Sequence, residues 1–189
     1  MNSTQTAIKS GNAPASSVAL ASAATHSAQG QYLTFMLGNE TLAIGILAIK
    51  EIIEYNQLTV VPMMPSTVRG VINLRGAVVP VMDLSARFGK PSTPINKRTC
   101  IIIVETHGGP EQQVFGVLVD AVNEVLDIAA SDIEPPPSFG SRIHGDFILG
   151  MGKVAGRFVT LLNVDRVLSL DELEPVTAEH GEQALSLSA

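Results

Sequence analysis

Aromatic residues and cysteine are scarce in this chain. It has no tryptophan, and its only tyrosines are Tyr32 and Tyr55. A groove that binds polyproline needs several stacked aromatic side chains, so the sequence argues against this type of peptide recognition. Cys100 is the single cysteine, which excludes an intrachain disulfide and agrees with a reducing, cytoplasmic compartment.

Positive charge and long apolar runs are also lacking. Lysine and arginine total 12 against 18 acidic residues, which gives a net charge of −6. This balance argues against non-specific nucleic-acid binding and against adhesion to an anionic membrane. No apolar run approaches the roughly 20 residues of a membrane span, so we predict no direct membrane insertion. Hydrophobic residues nevertheless make up 46% of the chain, which is enough to build a core.

Residue patterns typical of catalysis are missing as well. The histidines, at positions 26, 107, 144 and 180, show no metal-ligand spacing, and no Gly-x-Ser-x-Gly elbow occurs. Residues 150–155, Gly-Met-Gly-Lys-Val-Ala, fit the looser dinucleotide fingerprint by spacing. The residues after them have the pattern of a strand, whereas nucleotide motifs need a helix N-terminus. We therefore predict no enzymatic activity, no cofactor and no metal site.

What the chain does contain is a pattern that occurs twice. Residues 69–84 read Arg-Gly-Val-Ile-Asn-Leu-Arg-Gly-Ala-Val-Val-Pro-Val-Met-Asp-Leu, and residues 150–168 repeat the spacing 80 positions later (150 − 70 and 156 − 76). Each copy predicts a β-hairpin with glycine in its tight turn, because glycine tolerates positive φ. We interpret the shared glycines as structural turn residues. They are Gly70, Gly76, Gly150 and Gly156.

The two copies differ at the turn itself, where Arg75 is answered by Ala155. Because the second copy makes its turn with alanine, the turn does not require the arginine. Two interpretations stay open: a solvated turn residue, or a partner-binding arginine of the kind enriched at binding hot spots. Pro80, in the second strand of the first copy, predicts that this strand lies at an edge or carries a bulge.

A second match links residues 121–126 to residues 48–53, 73 positions earlier, so that Glu124 answers Glu51 (124 − 51). Together with the many short apolar segments separated by Gly and Pro, the two matches predict an all-β chain. We expect two five-stranded antiparallel barrels related by an internal repeat, with short helical turns between strands. A barrel of about 60 residues is marginally stable alone, so we expect the two to pack together.

The predicted boundaries follow the repeat. The first barrel would span residues 31–90 and the second residues 98–170, with an exchange of strands between them left open. Residues 1–30 are rich in Ser, Ala and Thr without periodicity, which predicts a disordered tail. Residues 171–189 predict a polar C-terminal tail.

Six short motifs occur in order along the chain. They are Gln31-Tyr-Leu-Thr-Phe, Ile49-Lys-Glu-Ile, Gly70-Val-Ile-Asn-Leu-Arg-Gly, Pro80-Val-Met-Asp-Leu, Gly116-Val-Leu-Val-Asp and Val125-Leu. As an ordered set they resemble the CheW family of chemotaxis coupling proteins, over about residues 31–170. The resemblance implies two SH3-like barrels, which agrees with the repeat. It also implies a non-enzymatic adaptor that couples the regulatory domain of a CheA-type histidine kinase to the helical tips of methyl-accepting chemotaxis receptors.

The resemblance further implies a set of partner-binding residues and a location. The family's binding surfaces carry over onto Ile49, Glu51, Ile52, Asn73, Arg75, Val122 and Val125. The location implied is the cytoplasm, with recruitment to membrane-associated receptor arrays. The same module occurs in CheA and in CheV, but 189 residues leave no room for a kinase or receiver domain, which favours the stand-alone coupler. The alternative is a CheW-like regulatory module of another kinase pathway, in a non-flagellar chemosensory system.

Overall fold

The computed structural model describes residues 29–107, 112–136 and 143–169. Its strands are β1 (Gln29–Leu37), β2 (Glu40–Gly45), β3 (Ile49–Glu54), β4 (Val68–Leu74), β5 (Ala77–Asp83), β6 (Cys100–Thr106), β7 (Gln113–Val119), β8 (Ala121–Ala129), β9 (Ile133–Glu134), β10 (Ile148–Val154) and β11 (Arg157–Leu162). The helices α1 (Leu84–Arg87) and α2 (Val164–Val167) make one turn each, and 3₁₀ turns occupy Ile46–Ala48, Ala130–Asp132 and Gly145–Phe147. None of the helices within these ranges is long enough to cross a membrane. The predicted tails, residues 1–30 apart from the start of β1 and residues 171–189, lie outside the described residues.

The strands form two sheets, in the orders β3-β6-β7-β5-β4 and β8-β1-β2-β11-β10-β9. All neighbouring strands are antiparallel except the parallel pairs β5–β7 and β2–β11. The first sheet closes because Thr59, after β3, and Val71 of β4 exchange backbone hydrogen bonds of 3.0 and 2.9 Å. In the second sheet β9 follows β8 and pairs with β10 in the same way. The all-β prediction of two SH3-like barrels with short helical turns is therefore confirmed.

Each barrel draws on different parts of the chain from those predicted. Barrel one consists of β3–β7, whereas barrel two consists of β1, β2 and β8–β11. The ranges 31–90 and 98–170 thus do not describe the sheets, because the exchange of strands that they left open takes place. Phe35 of β1 pairs with Leu42 of β2 on one side and with Val122 of β8 on the other. Apolar alternation shows which face of a strand is buried but not which strand lies beside it.

The repeat is nevertheless confirmed at the level of strand register. Val81 of β5 pairs with Gly116 of β7, and in barrel two Leu161 of β11 pairs with Ala43 of β2. These positions correspond at offsets of 80 (161 − 81) and 73 (116 − 43). The one-turn helix after each hairpin corresponds too, with its N-cap supplied by a polar side chain in both barrels.

Two of the four predicted turn glycines lie within strands instead of turns, Gly70 in β4 and Gly150 in β10, where crowding requires them. A Cβ at Gly70 would lie 2.7 Å from the backbone oxygen of Thr59, and one at Gly150 would lie 2.8 Å from that of Glu134. Both clashes involve the segment that closes the barrel, so the same steric demand acts twice. A side chain here would push this segment away from the sheet.

The other two glycines are required by backbone conformation. Gly76 and Gly156 have open space around them but lie at φ of +91° and +77°, in the turns of hairpins β4–β5 and β10–β11. The residues before them, Arg75 and Ala155, also have positive φ, at 51° and 48°. Two consecutive residues of positive φ are typical of a two-residue hairpin turn whose twist matches that of the strands.

The expectation of an edge position for Pro80 is wrong. Its strand, β5, lies between β7 and β4 in the interior of the sheet. Pro80 is tolerated because the ladder to β7 runs only over residues 81–83, beyond the missing N–H group. The other predicted alternative, a bulge in this strand, is wrong as well, because the register of the β4–β5 pair shifts between Val68 and Gly70 and the extra residue, Arg69, lies on β4.

The core has three layers, and the largest lies between the barrels. The interior of barrel one holds Ile101 and Ile103, whereas Ile102 and Val104 of the same strand face the other way. Twenty buried side chains from both barrels form the middle layer, which we call the inter-barrel core. Burial on both faces explains why β6 is a continuous apolar run. The prediction that the barrels pack together is confirmed.

Candidate partner-binding surface

Strand β3 carries three of the predicted site residues. Ile49 is half-buried and packs against the inter-barrel core, and a bulge separates it from Glu51 in the pairing with β6. Ile52 follows on the strand with 43% of its side chain exposed. The 3₁₀ turn before β3 directs Leu47 outward, 97% exposed. The sequence pattern does not single out Leu47, because an apolar run does not show which of its residues a turn will expose.

An ion pair joins Glu51 to the predicted turn arginine. Arg75 Nη2 lies 2.9 Å from Glu51 Oε2, with 78% of the arginine side chain and 25% of the glutamate side chain exposed. In the same turn Asn73 Oδ1 accepts a hydrogen bond of 2.8 Å from the backbone N–H of Gly76. The structure therefore brings Glu51, Asn73 and Arg75 together across the gap between β3 and hairpin β4–β5. It also gives Asn73 a role in the turn that the sequence did not predict.

The ion pair contributes little to stability but much to orientation. An exposed pair of this kind is worth about 0–1 kcal/mol. A guanidinium presents its N–H donors in a fixed plane, so tethering it to Glu51 holds those donors in one place. Beside it lies an open cleft of about 420 Å³. The cleft is lined by Lys50, Glu51, Leu74, Arg75, Ala77, Val79 and Val114.

Strand β8 occupies in barrel two the position of β3 in barrel one. Val122 pairs with Phe35 and packs against the inter-barrel core, whereas Val125 is 46% exposed. The bulge in this strand is held by Thr34, whose hydroxyl donates to the carbonyl of Glu124 at 2.8 Å and accepts from its N–H at 3.2 Å. Thr34 is buried. The role of Thr34 cannot be read from the sequence, because the hydrogen-bond partner of its hydroxyl lies on another strand, far away in the chain.

Two repeat-equivalent residues have the same relation to the inter-barrel core. Ile49 of barrel one and Val122 of barrel two both pack against the inter-barrel core from its edge. Ile52 and Val125 come after them on their strands as exposed apolar side chains. We refer to these four residues together as the apolar seam. Asn73 and Arg75 are not part of the seam, since they lie at the turn of a hairpin that belongs to barrel one alone.

The alternative chemistries find no support in the described residues. Residues 150–154 lie within β10, and the strand β11 comes next, so this stretch has no helix N-terminus with which to hold a phosphate. Within the three described ranges no cluster of His, Cys, Asp and Glu side chains is arranged to hold a metal ion. Tyr32 and Tyr55 pack against the interiors of different barrels, so they do not form an aromatic groove.

A family model described as a CheW-like domain matches residues 31–172 of this chain. The chain belongs to the CheW-like family. It is 34% identical over 143 residues to "Chemotaxis protein CheW" of Klebsiella aerogenes, covering 76% of this chain and 84% of that protein. It is also 34% identical over 157 residues to the protein of the same name from Rhizobium meliloti, covering 82% and 99%.

A solved CheW-like structure agrees with the fold. The scaffolding protein TtCheW of Thermoanaerobacter tengcongensis superposes with a TM-score of 0.69 at 32% identity, covering 78% of this chain and 93% of that one. The CheW-like match spans the segment on which the sequence motifs lie. The partner-binding role of the seven residues stays a prediction.

Proposed function

We propose that this protein is a non-enzymatic chemotaxis adaptor. It links the regulatory domain of a CheA-type histidine kinase to the helical cytoplasmic tips of methyl-accepting chemotaxis receptors. Relatives that carry the name chemotaxis protein CheW, and a structural neighbour described as a scaffolding protein, support this proposal. We propose a cytoplasmic location, with recruitment to membrane-associated arrays through the receptor tips.

The observation that carries the proposal is the apolar seam. Ile49 and Val122 pack against the same core from opposite barrels, and in the proposed complex a single rod-shaped partner contacts both. A helix that lays its apolar face into a groove uses such anchors at one-turn spacing. Exposed Ile52 and Val125 supply apolar area that the fold itself leaves in water.

Arg75 supplies the polar contact of the proposed surface. Its guanidinium is oriented by Glu51 and remains largely exposed, which leaves it available to a carboxylate of a partner. A preorganised arginine next to an open cleft is a common hot-spot arrangement. A protein of this kind works by binding, so the pure chain should neither hydrolyse ATP nor phosphorylate a substrate.

The test is a bridging experiment with purified components. An immobilised kinase regulatory domain should retain a receptor-tip fragment only when this protein is added. The substitutions Ile52→Asp and Val125→Asp, made together, should weaken retention of at least one partner by about tenfold or more, because they place charge on the seam. Leu149→Asp is the matched control, since Leu149 is 54% exposed on β10 outside the seam.

Two results would contradict the proposal. One is normal retention of both partners by the seam variant. The other is ATP hydrolysis by the pure chain that disappears on changing Lys153. Melting curves of both Asp variants separate a binding defect from a folding defect.

A further inference from the structure

The described methionines fall into two environments. Met82 is fully buried, and Met36 and Met151 are half-buried with their Sδ atoms accepting hydrogen bonds from Thr41 Oγ1 (3.4 Å) and Thr160 Oγ1 (3.6 Å). In contrast, Met63 is 100% exposed and its neighbour Met64 is 41% exposed. The thioether of Met63 is therefore open to solvent on every side.

The backbone holds Met63 in this position. It lies in the turn Pro62-Met-Met-Pro65 at φ +66°, a left-handed conformation that side chains with a Cβ rarely adopt. Both ends of the turn are anchored, since Thr59 pairs with Val71 and the N–H of Val68 donates to the carbonyl of Pro65 at 2.9 Å. An apolar side chain is thus presented at a fixed tip without any packing role, an unfavourable arrangement of the kind found at functional sites.

We propose that Met63, followed by Met64, is a site of reversible oxidation by hydrogen peroxide or an alkyl hydroperoxide. The thioether sulfur attacks the outer peroxide oxygen, the O–O bond breaks and an S–O bond forms. The sulfur is oxidised by two electrons to the sulfoxide, and the peroxide is reduced to water or to the alcohol. Exposure governs which methionines react, so the three buried or half-buried ones are spared while the protein is folded.

The modification changes the surface and leaves the fold unchanged. Met63 makes no packing contact, so a polar sulfoxide there costs no buried contact. It converts the apolar tip, which includes Val60 at 77% exposure, into a polar one. Methionine sulfoxide reductases reverse the reaction, which makes the tip a switch of polarity. This inference is independent of the proposed partners.

The test is peroxide titration of the full-length folded chain, read by peptide mass spectrometry. Among the five described methionines, Met63 should gain one oxygen atom first and Met64 second. Met82 should react at least about tenfold more slowly, since it must wait for local unfolding to expose its sulfur. The melting temperature of the singly oxidised protein should equal that of the untreated protein, and a sulfoxide reductase with its reductant should remove the oxygen.

Two controls make the result decisive. In Met63→Leu the first oxidation event should be lost and the remaining methionines should react at unchanged rates. In guanidinium all methionines should react alike. Equal rates for Met63 and Met82 in the folded protein would overturn the proposal, as would first oxidation at Met36 or Met151, or a sulfoxide at Met63 that the reductase does not remove.

Discussion

Hairpin β4–β5 of barrel one and hairpin β10–β11 of barrel two share a backbone but differ in their turn side chains. Arg75 and Ala155 both adopt positive φ, at 51° and 48°, and a glycine follows each. The turn conformation is thus the same for a long charged side chain and for a methyl group. This comparison separates what the fold needs from what is free to vary.

The same contrast extends to the neighbouring edge strands. Glu51 of β3 is paired with Arg75, whereas Glu124, its counterpart on β8, has no ion pair with any described residue. Each barrel has one glycine that leaves room for the segment closing the barrel, Gly70 in barrel one and Gly150 in barrel two. Steric demands are therefore duplicated and charged contacts are not. Functional residues are therefore best sought at the positions where the two copies differ in charge.

The largest effect is expected at Asp83, the helix cap of barrel one, which Asn163 matches in barrel two. Fully buried Asp83 accepts hydrogen bonds from two N–H groups of α1 and from both the N–H and the hydroxyl of Thr93, with Arg69 at 3.5 Å. Asn163 caps α2 with a single bond from the N–H of Arg166. Asp83→Ala should lower the free energy of unfolding by about 3–4 kcal/mol, and Asn163→Ala by about 1 kcal/mol.

Denaturant unfolding of both variants measures this difference. Equal losses of unfolding free energy at the two positions would mean that the caps are energetically equivalent despite their different partners. This result would contradict the difference expected between Asp83 and Asn163.

Next in size are the crowded glycines. Gly70→Ala and Gly150→Ala should each lower the free energy of unfolding by about 2–3 kcal/mol, since the new Cβ overlaps the closing segment. Gly76→Ala, with open space but φ of +91°, should lower it by only about 1–2 kcal/mol. Thermal or urea unfolding tests this order, and a larger loss for Gly76→Ala would show that turn conformation outweighs crowding.

The turn arginine should affect binding rather than folding. Arg75→Ala should change the free energy of unfolding by no more than about 0.5 kcal/mol. If Arg75 is a hot spot, the same variant should weaken partner binding by about 2 kcal/mol, roughly 30-fold. Calorimetric titration against the kinase regulatory domain and, separately, a receptor-tip fragment measures the second effect.

Two results would contradict the interpretation of Arg75 as a partner-binding residue. Early melting of Arg75→Ala would show that the arginine stabilises the fold. Ala155 of barrel two would then not be a valid control for Arg75. Normal melting with normal binding of both partners would leave Arg75 a solvated turn residue and shift the binding surface towards Ile49, Glu51 and Ile52.

The smallest effect is expected from the converse change. Ala155→Arg places a guanidinium at the turn that corresponds to Arg75, in the barrel where Glu124 corresponds to Glu51. The free energy of unfolding should change by no more than about 0.5 kcal/mol, as is typical of surface substitutions. Partner binding should stay unchanged. A marked gain or loss of binding, measured by the same titrations, would show that barrel two's turn also contacts a partner.

The local elements of this protein follow from residues that are close together in the chain. Leu33, Phe35 and Leu37 alternate with other residues along β1, and all three are buried. The spacing of Gly76 and Gly156 located two turns correctly, because a residue of positive φ is a requirement of the backbone itself. The internal repeat and the family resemblance can be recognised from the sequence because both depend on short motifs of consecutive residues.

Which strands lie side by side depends on contacts between segments that are distant in the chain. No local pattern places β1 next to β8, because a buried strand satisfies its hydrogen bonds with any strand of suitable length and register. Contacts between residues distant in sequence therefore depend on the assembled fold: the ion pair of Glu51 with Arg75, and the hydroxyl of Thr34 at the bulge of β8. The inter-barrel core has the same origin, since Ile49 and Val122 pack against one core only when the two barrels come together.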